Sequence, residues 1–165
     1  MNNTKAYLFS TKNKMKYAFD ITLKNRRILN SFLDRFTLEE LNIKPKGFSN
    51  TIIWNTAHVI VTQQLLVYDL SSIPMQVSDD LVAKYRKGTK TEKDITQNEV
   101  DEIKRLLFST VEQTERDYEK GLFKTYNAYT TSTNSTMACV EDAIGFNNFH
   151  EGIHLGYILA LKKSI

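Results

Sequence analysis

The sequence predicts an all-α fold, an antiparallel four-helix bundle with long loops between helices two and three and between helices three and four. Three observations carry that expectation. Apolar residues recur at helical spacing in four stretches of roughly 20 residues. Only two prolines and six glycines punctuate 165 residues, and no internal repeat or low-complexity tract is present. With 41% hydrophobic and 25% charged residues, the chain is expected to form one domain over residues 1–165 with a sizeable core.

The first helix is expected from Lys14 to about Phe36. Met15, Ala18, Phe19, Leu29, Phe32, Leu33 and Phe36 recur largely at helical spacing, with Lys16, Lys24, Arg26, Arg27 and Asp34 interleaved. Pro45 and Gly47 disfavour continuation, and Ser49 or Asn50 can cap a second helix running to about Leu70. That helix carries Trp54, His58, Val61 and Leu65 on one face and Ile53, Ile60 and Val67 on the other, so it is expected to be central. Ser71 to Ile95 reads as a long surface connection, with one short helix after the Ser78-Asp79-Asp80 cap signal. Thr96 and Glu99 form a capping box, followed by the stripe Val100, Ile103, Leu107, Val111, Thr114 and Tyr118 before Gly121 ends the third helix. A Ser, Thr and Asn cluster from Thr130 to Thr136 reads as a plain connector, and a last helix follows from about Val140 to Lys163.

Composition narrows the function classes. The richest apolar run, Thr51 to Tyr68, is broken by Asn55, His58, Gln63 and Gln64, so no membrane partner is expected. The first residues place Tyr7 to Phe9 before a basic stretch and lack a signal-peptide core, which favours a cytoplasmic location. A net charge of +3 is too small an excess to argue for nucleic acid. The densest basic stretch, Lys84, Arg86, Lys87, Lys90 and Lys93, reads as a solvated connection rather than a phosphate patch. The single cysteine, Cys139, forms neither an internal disulfide nor a Cys-rich zinc site, and reads as a small buried residue rather than a nucleophile.

The three histidines are the informative feature. His150 and His154 are four apart on the last helix, about 40° apart in azimuth and about 6 Å along the axis, so one ion can reach both rings. His58 lies on the apolar face of the second helix, four residues after Trp54. Three imidazoles at about 2.0–2.1 Å suit a divalent ion such as zinc and leave a coordination position open for water or substrate. On spacing alone the alternative stands that His58 is a hydrogen-bonded core residue and the other two are partly exposed. His150-Glu151-Gly152-Ile153-His154 also fits H-E-x-x-H, the zinc-protease signature, with Glu151 as the general base. Only 11 residues follow His154 and none is His, Asp or Glu, so the downstream third ligand of common proteases is missing. Glu151 stays a candidate catalytic residue, as a proton carrier or ligand-orienting group, or else a salt-bridged helix residue.

Two segments, Pro45-Lys46-Gly47-Phe48-Ser49-Asn50-Thr51-Ile52-Ile53-Trp54-Asn55-Thr56-Ala57-His58 and Phe149-His150-Glu151-Gly152-Ile153-His154-Leu155-Gly156-Tyr157-Ile158, give the chain a likeness to known proteins. It resembles the DinB-like superfamily of metal-dependent bundle proteins from about Lys14 to Lys163. The resemblance implies a DinB-like four-helix bundle whose metal is held by His58, His150 and His154. It also implies a thiol-dependent enzyme, since characterised relatives are reported to use bacillithiol or mycothiol in transferase or isomerase reactions. The expected cofactor is a divalent metal ion, zinc or nickel foremost, with iron or manganese as further candidates. A small-molecule substrate, a low-molecular-weight thiol and a homodimer are the expected partners. A non-catalytic metal-binding stress protein and a metal-dependent small-molecule hydrolase are the alternatives. Tyr126 to Tyr129 and the Thr-rich loop after it are the segment available to line the mouth of a metal cleft.

Overall fold

The computed structural model describes residues 3–165, with side chains from Asn13 onward; the reading of Tyr7 to Phe9 falls outside the described side chains. The chain is mostly helical, as expected. Four long helices, α1 (Asn3–Arg35), α3 (Ile52–Val67), α5 (Gln97–Glu119) and α6 (Val140–Leu161), are joined by connections that hold the short helices α2 (Leu38–Asn42) and α4 (Asp79–Tyr85). α1 packs on α5 and α6, and α3 packs on the same two helices. No helix among the described residues is long and apolar enough to cross a membrane.

Cap chemistry sets most helix starts. Thr96 and Glu99 form the expected capping box ahead of α5, and Ser78 caps α4. The same signature recurs at Thr37 and Glu40, which start α2, a helix not expected from the sequence because no apolar run follows the box. α3 is capped by Thr51, whose hydroxyl accepts from Trp54 N, rather than by Ser49 or Asn50. α1 begins at Asn3 instead of Lys14, and α3 ends at Val67 before a 3-10 turn at Asp69–Ser71. At the two ends of the loop expected at 130–136, Tyr129–Thr130 (β1) pairs antiparallel with Thr136–Met137 (β2).

α3 is the central helix that its composition predicts, with 14 of its 16 residues buried. Its apolar residues feed two core clusters, one around Leu29, Phe32, Ile60, Ile103 and Ile158, the other around Phe19, Val67, Val111, Ala143 and Ile144. α1 and α6 each pass from one cluster to the other, α1 between Phe19 and Leu29 and α6 between Ile144 and Ile158. Both helices place buried polar residues in that interval: Thr22 and Arg26 on α1, Asn147 and Glu151 on α6. The sequence reading set Arg26 among the charges interleaved between the apolar residues and not on the apolar stripe. The structure corrects this, because Phe19, Thr22, Arg26, Leu29 and Leu33 continue one stripe at helical spacing and Arg26 is 0% exposed.

Candidate metal centre

The polar interval is built around an ion pair. Arg26 Nε and Nη2 donate to Glu151 Oε1 at 3.0 and 2.8 Å, and Nη2 also donates to the Val59 carbonyl at 3.2 Å. Asn147 Nδ2 adds a third hydrogen bond to Glu151 Oε1 at 2.8 Å. One guanidinium therefore ties α1 to α3 one residue beyond His58 and to α6 one residue beyond His150. With both side chains fully buried, the pair fixes the helices where their histidines face each other.

His58, His150 and His154 converge, each offering one ring nitrogen, with those atoms within 4.8 Å of one another. The His58 ring centroid lies 5.2 Å from that of His150 and 4.7 Å from that of His154, and the latter two are 4.6 Å apart. These separations place all three rings within reach of one ion at Zn–N lengths of about 2.0–2.1 Å after small side-chain movements.

The hydrogen bonds behind the rings decide which nitrogens are free. His58 Nδ1 lies 2.6 Å from the Tyr85 carbonyl oxygen. A carbonyl only accepts, so Nδ1 carries the proton and Nε2 keeps its lone pair. The Thr62 hydroxyl is 3.3 Å from that Nε2, long enough to yield to a stronger partner. Asn55 Nδ2 donates to the Thr51 carbonyl, which orients the amide so that Oδ1 faces His154 Nδ1 at 2.9 Å. His154 thus also presents Nε2. Trp54 stacks on the His58 ring at 4.7 Å and 12°, fixing its plane. His150 Nδ1 is buried with no hydrogen-bond partner, an orphan of the kind a bound cation relieves. The donor set fits a divalent metal, and the backing of His58 and His154 is the arrangement that orients metal-binding imidazoles.

Burial holds the rings neutral. Desolvation, with smaller contributions from His154, His58 and Arg26, lowers the His150 pKa to about 3. Desolvation and His58 lower that of His154 to about 4, and desolvation also lowers His58. All three are then lone-pair donors at neutral pH. Because the unfolded chain protonates near the usual 6.5 and the folded one much lower, protons stabilise the unfolded state first. The contribution of these neutral rings to the stability of the metal-free protein is full above pH 6.5 and is lost as pH falls toward 3. Thermal melts across that range, compared with His150→Leu, should show the steeper loss in the wild type; parallel curves would contradict the buried, neutral rings.

The triad forms part of the wall of a cavity of about 510 Å³, with Trp54, Leu65, Phe146, Phe149 and Ile153 as its apolar surface. Tyr129, Thr131, Ser132 and Thr133 also line it, so the segment read as a plain connector borders the cavity, while Tyr126 does not. Lys87 reaches it from the otherwise solvated basic stretch. Glu151 is absent from that lining among the described residues; it is 0% exposed and sits in the Arg26 pair. Cys139 lines a larger cavity of about 900 Å³ that contains none of the histidines, and burial pushes its thiol pKa up.

Sequence reasoning located the three histidines and missed Arg26, Asn55, Asn147 and the Tyr85 carbonyl. Arg26 and Asn147 were marked by their positions on buried stripes; a backbone carbonyl leaves no mark in residue type. The sequence model of the DinB superfamily matches residues 22–158, and no curated protein matches the chain. The matched stretch runs from before Arg26 to beyond His154 and contains the whole site, and the chain belongs to the DinB superfamily.

Proposed function

We propose that this protein is a metal-dependent enzyme that joins a low-molecular-weight thiol to an electrophilic small molecule, with His58, His150 and His154 as ligands to one divalent ion, zinc or nickel. The observation that carries this reading is the convergence of three neutral imidazoles from α3 and α6 on the wall of a cavity of small-molecule size. A purely structural metal would favour a closed coordination shell, whereas here the rings border open space. The packing of α1 and α3, each against α5 and α6, supports the antiparallel four-helix bundle as the frame of the site.

A divalent ion held there supplies Lewis acidity that favours the thiolate form of a bound thiol. The chain does the rest. Asn55 and the Tyr85 carbonyl hold two imidazoles as Nδ1–H donors with Nε2 turned inward. Trp54, Phe146 and Phe149 give the cavity an apolar surface, and the Thr131–Thr133 segment also borders it. Glu151, held by Arg26 and Asn147, acts in this reading as a positioning residue rather than a proton carrier, which weighs against a hydrolase that needs Glu151 to move a proton.

Metal-reconstituted protein, incubated with a panel of small thiols and a chromogenic electrophile, should turn over with at least one thiol and lose that activity in His150→Ala. Rates no greater than those of free metal for every thiol would count against the proposal.

A further inference from the structure

We propose that Lys87 is the anion anchor of the histidine cavity, and that the cavity takes a small molecule with an apolar body and a carboxylate end. This inference deepens the reading above, which assigns the same cavity to a small-molecule substrate.

The backbone that carries the exposed Lys87 is fixed by its neighbours. The turn from Tyr85 to Thr89 is fastened to α3 at both ends: the Tyr85 carbonyl accepts from His58 Nδ1 at 2.6 Å, and Thr89 Oγ1 accepts from Trp54 Nε1 at 3.2 Å. Thr89 N also donates to the Arg86 carbonyl at 3.2 Å, closing the turn across Lys87 and Gly88. Gly88 has φ +91°, a left-handed conformation that a side chain would strain. Lys87 therefore stands in a short pinned turn on the cavity wall instead of in a free loop.

The surroundings leave that charge available. Lys87 has no ion-pair partner among the described residues. The other charged residue lining the cavity is Asp69, which disfavours an anion on its own side and so orients a ligand with its carboxylate toward Lys87. Between the charged groups, Trp54, Phe146, Phe149 and Ile153 provide the apolar surface that a hydrocarbon or aromatic body needs; Ser132 adds a hydroxyl to the lining, while those of Thr131 and Thr133 bond to each other at 2.9 Å.

The test uses the full chain, kept free of metal by a chelator so that no cation in the triad draws the anion. Trp54 is the single tryptophan and lines the cavity, so its fluorescence reports occupancy. Phenylacetate and the isosteric neutral phenylacetamide are the probes. Wild-type protein should bind phenylacetate about five-fold more tightly than the amide at low salt, the upper range for an exposed ion pair, and less selectively at high salt. Lys87→Arg should keep the preference; Lys87→Ala should abolish it and Lys87→Glu should reverse it, with unchanged circular dichroism. Equal affinities in the wild type, a preference that survives Lys87→Glu, or no binding of either probe would overturn the inference. A Lys87-dependent preference in a protein that takes up no metal when loaded would uphold the anchor and refute the metal-dependent enzyme.

Discussion

Replacing Arg26 by alanine is expected to destabilise the protein by about 3–5 kcal/mol, because it leaves Glu151 as an uncompensated buried charge. Both side chains are fully buried, and Arg26 supplies two of the three donors to Glu151 Oε1. Urea unfolding followed by circular dichroism measures the loss. Glu151→Ala should cost a similar amount, whereas the joint change Arg26→Met with Glu151→Leu should recover most of it, since removing both charges also removes their desolvation cost. The recovered stability should not restore the site: without the guanidinium link to the Val59 carbonyl and to α6, metal affinity should remain below wild type. A loss under about 1 kcal/mol for Arg26→Ala, the range of surface ion pairs, would contradict the buried pair.

Metal affinity should respond to substitution in graded fashion. Removing one imidazole, by His58→Ala, His150→Ala or His154→Ala, is expected to weaken binding by more than about 100-fold. Asn55→Ala should fall in the 10–100-fold range typical of lost outer hydrogen bonds, since His154 keeps its ring but loses the acceptor that fixes its tautomer. Isothermal titration with zinc, on variants whose melting is cooperative, distinguishes the two classes. Equal effects for Asn55→Ala and His154→Ala would mean that the amide does more than orient the ring; no effect of any histidine change would place the metal elsewhere.

Much of this architecture is written in local signals. The Thr96–Glu99 box, the Ser78 cap and the α5 stripe are each specified within a few residues, and the structure places helix starts and buried faces where those signals put them. The near-uniform apolarity of α3 likewise announces a helix surrounded by partners. The misses have physical reasons. α2 is one capped turn and a little more, too short for periodicity to register, although its Thr37–Glu40 box is the same signature. The β1–β2 pair comprises four residues in a Thr-rich segment, without the alternation that marks a half-buried strand.

At the site, the spacing of His150 and His154 on one helix was legible, whereas the approach of His58 depends on how α3 docks against α6. The sequence carries that docking only indirectly, through buried stripes on three helices. Arg26 shows how a charge is misread: residue type places it in solvent, while its position on the Phe19–Leu33 stripe places it in the core. The Thr-rich loop was available from the sequence to line a cleft mouth, but that Tyr129 and Thr131–Thr133 border the cavity and Tyr126 does not is a tertiary outcome that composition does not encode.

The shared ion is tested most directly by X-ray absorption at the metal edge of protein loaded with one equivalent of zinc. Three imidazole scatterers near the usual Zn–N distance of about 2.0–2.1 Å are expected in the wild type, falling to two in His58→Ala, the variant that removes the α3 contribution. A coordination shell lacking imidazole, or one unchanged when His58 is lost, would contradict a metal centre spanning α3 and α6.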